Sequence, residues 1–110
     1  MHLPLHQLVK RLEYLATSVD ICYILTNDRH NVLYTGSTSN LRKRIHHHKH
    51  RLVPGFTKKY NIHKLVYFEA QLDMNAARIR ERQINSLSRA KKDALINIMN
   101  CSRRELYGEL

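Results

Sequence analysis

The chain has 110 residues, enough for one domain with one modest core and too few for two comfortable ones. Its 19 Lys and Arg against 9 Asp and Glu leave a formal charge of +10, a surplus that favours a polyanionic partner, nucleic acid first and an anionic membrane surface second. No stretch approaches the roughly 20 apolar residues of a transmembrane helix, and His6, Lys10, Arg11 and Glu13 interrupt any secretory signal, so a cytoplasmic or nucleoid-associated protein with no membrane partner is expected.

Residues 3–18 carry Leu5, Leu8, Leu12 and Leu15 at helical spacing, with Lys10, Arg11 and Glu13 on other sides. This predicts an amphipathic helix that either packs back on the domain or offers an apolar face for self-association or a protein partner. Two short runs of β-formers follow, ICYILTN and VLYTG, separated by the polar break DRHN. If Asn27 and Val32 close the hairpin, Leu25 lies opposite Tyr34 and Tyr23 opposite Gly36, which puts both tyrosines on one face and leaves space beside Tyr23. Cys22 and Thr35 then face the other way. Cys22 and Cys101 are too few for a disulfide framework or a zinc cage, and Cys22 reads as a small buried hydrophobe.

Ser-Thr-Ser-Asn opens a basic helix from about Asn40 to His50, with Ser39 or Thr38 as its N-cap. Leu41, Ile45 and His48 form its apolar stripe and Arg44 lies beside them, so two phenols, a guanidinium and an imidazole can converge on one patch. Arg42, Lys43 and Lys49 form either a solvated basic face or a set of phosphate contacts. His46, His47, His48 and His50 cannot all ligate one ion, because consecutive helical residues point about 100° apart.

Pro54-Gly55 marks a turn, and FTKKYN after it sets Lys58 and Lys59 beside Phe56 and Tyr60. That loop is either a backbone grip with a stacking surface or an ordinary loop anchored by its aromatics. Lys64–Leu72 reads as a third strand beside the hairpin, with Val66, Phe68 and Ala70 alternating against Leu65, Tyr67 and Glu69. Asp73 caps a helix from about Met74 to Leu87 whose stripe of Ala77, Glu81, Ile84 and Ser88 has Glu81 as its only charge. A carboxylate there needs a partner, either Arg78 or another arginine, or a metal at a site floored by the tyrosines. Ser88-Arg89-Ala90 interrupts the stripe, and a last helix over Lys91–Met99 is expected to turn Ala94, Leu95, Ile98 and Met99 inward. The organisation expected is an N-terminal helical extension over 1–19, a domain over 20–100 and a polar tail over 101–110.

In this order the residues resemble the GIY-YIG nuclease domain, in its small single-domain Uri-like branch. Ile21-Cys22-Tyr23 is similar to the first motif and Tyr34-Thr35-Gly36 to the second. Gly36-Ser37 with Leu41, Arg44 and His48 is similar to the family's helix, GFTKKYN with KLVYFE to its loop and third strand, and RERQI with SRAKK to the helix carrying its metal-binding glutamate. The resemblance covers roughly residues 20–100. The fold class expected is α/β, more narrowly α+β, with a small, mainly antiparallel three-stranded sheet flanked by helices.

The resemblance implies an endonuclease that hydrolyses phosphodiester bonds in DNA, with RNA left open, using one divalent metal, Mg²⁺, for which Mn²⁺ substitutes. It implies Tyr23 and Tyr34 as the motif tyrosines, Arg44 and His48 as the helix pair and Glu81 as the metal ligand. Attack on a phosphodiester needs a base, a cation at the phosphate and neutralisation of the leaving oxygen. Arg44 can fork across two phosphate oxygens. Tyr23 is assigned as the base, its pKa expected to fall beside Arg44 and the metal. Tyr34 orients phosphate or water, and His48 relays a proton or contacts the phosphate. Arg42, Lys43, Lys49, Lys58, Lys59 and Arg89 are the expected nucleic-acid contacts. Two features depart from the pattern: the first motif lacks its glycine, and the late asparagine is either Asn97 or Asn100. Weak sequence specificity, a preference for branched, flapped or single-stranded substrates and a role in DNA repair or recombination fit a chain with no separate recognition domain. The competing reading is a module that binds nucleic acid on the same surface without cutting it.

Overall fold

A computed structural model describes residues 19–110; the expected N-terminal helix lies outside the described residues. Strands β1 (Asp20–Thr26), β2 (Leu33–Thr38) and β3 (Lys64–Gln71) form one antiparallel sheet in the order β2-β1-β3, so the third strand pairs on the far side of β1. The hairpin has the register that its alternation requires, with Tyr23 opposite Gly36 and Leu25 opposite Tyr34. Asn27 sets the turn: its side-chain oxygen accepts from the backbone N–H of Asn31 at 3.1 Å and of Val32 at 3.3 Å.

Helices cover both faces. Helix α1 (Leu41–Lys49) lays Leu41 and Ile45 on the face holding Ile21, Tyr23 and Leu25. Its N-cap is Asn40, not Ser39 or Thr38, and its side chain accepts from Lys43 N at 3.1 Å. Thr38 is unavailable because its hydroxyl accepts from Asn40 N instead. A one-turn helix, α2 (Phe56–Lys59), sits within the segment expected as a loop. Helix α3 (Met74–Asn85), capped by Asp73 on Ala76 N, brings Ile84 to the other face, against Cys22, Ile24 and Val66. Helix α4 (Arg89–Asn100) begins where the stripe was expected to break, because Ser88 is its N-cap and not part of the preceding helix.

Three expectations change for stated physical reasons. A bulge between Ile24 and Leu25 shifts the β3 register, so Leu65 joins Phe68 on one face while Val66 joins Tyr67 on the other, in place of strict alternation. The inward face of α4 is Ile96 and Asn100, whereas Ile98 is 84% exposed and Met99 and Ala94 also face outward. Asn100 sets that rotation: its amide donates to the carbonyls of Val66 at 3.2 Å and Arg104 at 2.7 Å, satisfying a buried polar side chain. Residues 101–110 are no polar tail, since Leu106 and Leu110 are buried in the core with Tyr23 and Ile45. Glu105 holds this segment in place, accepting from Leu65 N at 3.0 Å and pairing with Lys49 at 2.9 Å, while Leu106 N donates to Leu65 O at 2.9 Å.

Gly36 stands where β2 meets the ring of Tyr23. A Cβ there would lie 2.5 Å from Tyr23 Oη and 2.6 Å from Cζ, so the expected space beside Tyr23 is filled by the tyrosine ring itself. Tyr23 is fully buried, so its ring moves only if its neighbours move with it. Gly36→Ala is therefore expected to cost about 1–3 kcal/mol through overpacking, read as a lower urea midpoint at unchanged m. A wild-type midpoint would show that the ring yields freely.

Candidate active site

Pairing in the hairpin and the stripe on α1 bring Tyr23, Tyr34, Arg44 and His48 to one face of the sheet. The rings of Tyr23, Tyr34 and His48 pack together with centroids 5.6–6.4 Å apart. Arg44 Nε donates to Tyr23 Oη at 3.4 Å, and Tyr23 Oη lies 3.4 Å from His48 Nε2. On the far side of the imidazole, Nδ1 lies 3.1 Å from Thr57 Oγ1. Because a guanidinium only donates, Tyr23 Oη accepts from Arg44 and can donate to Nε2 of His48, leaving Nδ1 to donate to Thr57 Oγ1. Thr57 is buried, and nothing in the sequence marked it beyond its place between Phe56 and Lys58.

Burial decides the charge state of this group. It pushes the Tyr23 phenol up to about 12, outweighing the hydrogen bond and charge of Arg44, which act the other way. Arg44 alone therefore does not bring the lowering of the Tyr23 pKa that was expected of it together with a metal. His48 is pushed down to about 4, by burial first and by the positive charge of Arg44 and the proximity of His47 second. It is a neutral imidazole at neutral pH. Arg44 is held firmly protonated, chiefly by its hydrogen bond to Tyr23. It is half-buried, and among the described residues no carboxylate pairs with it.

Glu81 approaches from the opposite side. It rides on α3, which packs on the Cys22 face, and its Oε1 accepts from Ser37 Oγ at 2.8 Å at the outer strand of the sheet. Among the described residues it has no ion pair: Arg80 pairs with Glu69 instead, and Arg78 is exposed. The second carboxylate oxygen has no protein hydrogen bond among those residues. Cys22 lies beneath as expected, fully buried, its thiol pushed up to about 12 by burial and by the nearby Glu69 and Glu81.

An open groove of about 350 Å³ runs beside this group, lined by Thr38, Ser39, Asn40, Lys43, Arg44 and His47. Of the expected nucleic-acid contacts, Lys43 faces this groove, and Lys58 and Lys59 are exposed on α2. The others are engaged within the fold. Lys49 pairs with Glu105, Arg42 donates to the carbonyl of Leu110, and Arg89 clamps the hairpin turn through the carbonyls of His30 and Asn31, both at 2.9 Å, while pairing with Asp93. Asn100 is tied under β3, and Asn97 accepts from Arg103 at 2.6 Å.

Residues 20–94 match the GIY-YIG catalytic domain. The chain is 39% identical to a UPF0213 protein of Natronomonas pharaonis over 58% of its own length and 75% of the relative's. It is 42% identical to a UPF0213 protein of Clostridium perfringens over 59% and 70%. The solution NMR structure of a UPF0213 protein from Bacillus halodurans is similar at 26% identity and a TM-score of 0.49, covering 76% of this chain and 87% of that one. With more than half its length matched and two motif tyrosines on one face of the hairpin, the chain belongs to the GIY-YIG catalytic domain family.

Proposed function

We propose that this chain is a divalent-metal-dependent DNA endonuclease that cuts with little sequence specificity and serves in repair or recombination. It carries a domain of a nuclease family, for which a nucleic-acid substrate is implied. The observation that carries the reading is Arg44, a half-buried guanidinium with no acidic partner among the described residues, backed by a phenol and a neutral imidazole. A structural arginine in that position would be paired, because a desolvated lone cation is costly. A phosphate completes it.

The metal must fit a sparse donor set, since among the described residues no three His, Cys, Asp or Glu side chains cluster to hold one. A single carboxylate suits Mg²⁺ or Mn²⁺, which keeps several waters beside one carboxylate and the substrate phosphate. Glu81, steadied by Ser37 and with one oxygen open, would hold it. Such a cation supplies charge for the developing phosphoryl and leaving oxygens.

The side chains of this protein do the rest. Arg44 forks onto two phosphate oxygens, a geometry an ammonium cannot copy. Tyr34, half-buried at the same patch, orients phosphate or water. With a pKa near 12, free tyrosinate at Tyr23 is too rare to act. Tyr23 therefore works as a base only in concert, taking a proton from water while passing its own to Nε2 of His48, which is neutral and positioned to accept it.

Single-turnover cleavage at saturating enzyme, with DNA affinity measured separately in Ca²⁺, tests this. Arg44→Ala is expected to lose about 10²-fold or more in rate with only a modest loss of affinity, Arg44→Lys to rescue poorly, and Glu81→Gln to abolish cleavage but not binding. Equal losses in rate and affinity would favour the binding module. The acid limb of kcat/KM is expected well below the ordinary histidine value of about 6.5, because His48 keeps accepting until pH falls toward about 4. A limb at 6.5 or above would remove His48 from the proton path.

A further inference from the structure

Phe56 and Tyr60 on α2 and its C-cap pack as a pair, ring centroids 4.8 Å apart and tilted 51°, yet they stay 47% and 44% exposed. They do not anchor their segment. That is done by Thr57, bonded to His48, and by Ile62, which is 1% exposed and whose N–H donates to Thr57 O at 2.9 Å. The rings are left outside together with Lys58 and Lys59, and the Lys59 ammonium sits 5.4 Å from the Tyr60 centroid.

We propose that Phe56 and Tyr60 form a stacking platform for an unpaired nucleobase, with Lys58 and Lys59 on its flanking phosphates, so that the substrate is a strand carrying unpaired bases. An aromatic pair with one ammonium over it and a second lysine on the same helical turn matches a base beside its flanking phosphates. A base inside a duplex is already stacked and offers only its edges, so the platform selects single strands, flaps or bulges over blunt duplex. The placement of the unpaired base next to the cut rests on the nuclease reading: Thr57, between Phe56 and Lys58, touches the imidazole of the candidate site.

The test is binding of the full chain in Ca²⁺ without Mg²⁺ to a fluorescein-labelled strand of about 20 nucleotides, longer than the ~4–16 that such grooves cover, and to the blunt duplex of the same sequence. A second probe carries 2-aminopurine, whose fluorescence is quenched on stacking. The wild type is expected to bind the single strand about tenfold more tightly, and Phe56→Leu or Tyr60→Leu to lose about tenfold on that strand, with quenching diminished and duplex binding unchanged. Circular dichroism and Tm confirm folding, which two exposed positions should not disturb. Equal affinity for both forms, or variants that weaken both alike, overturns the platform. Cleavage with Mg²⁺ is scored separately: strand preference without cutting upholds the platform and refutes the nuclease reading, while cutting of blunt duplex by a protein with no such preference does the reverse.

Discussion

The contact between Gly36 and Tyr23 is the constraint on which the site rests. The hydroxyl end of a fully buried tyrosine lies where any other residue at position 36 would place a Cβ. The absence of a side chain on β2 therefore fixes the depth and direction of a phenol on β1. That phenol is then the meeting point for Arg44 and His48, one helical turn apart on α1. A hairpin register, a missing methyl group and a helical spacing combine in one hydrogen-bonded chain. None of the three would position the group alone, and the register is the most sensitive, since a slip of one residue sends every side chain to the other face.

Within that group, desolvation and charge pull against each other. Reasoning from neighbours alone makes Tyr23 a readily ionised base, because a guanidinium lies beside it. Inside the core the cost of an unsolvated phenolate is larger than the gain from one long hydrogen bond, and the balance moves the phenol up and the imidazole down. The two shifts are complementary, since a proton shared between them stays on the tyrosine in the resting protein. Charge is thereby kept off both groups, and the one permanent charge is that of Arg44, at the edge nearest the groove.

What could be read in the sequence was local. The hairpin register follows from Asn27 and Val32, the buried stripe of α1 from Leu41, Ile45 and His48, and the start of α3 from Asp73; all stand in the structure. What escaped was set by distant partners. The face of α4 was chosen by Asn100, a polar side chain that hydrophobicity would place outside. The burial of Leu106 depends on Glu105 finding Leu65, a partner 40 residues away. Thr57 gained its place from a histidine on another helix, and the phenol's charge state from a burial that no neighbour in sequence reveals. The gathering of Tyr23, Tyr34, Arg44 and His48 was legible because it needs only alternation and helical pitch. That Glu81 comes to the sheet from behind was not, because a stripe of residues does not say which face it covers.

That arrangement, with α1 on one face and α3 on the other, leaves the outer strand β2 between the side that carries Arg44 and the side that carries Glu81. The two sides of the site are joined through Cys22 and Tyr23 on β1 and Gly36 and Ser37 on β2, neighbours in the chain that face opposite sides of the sheet.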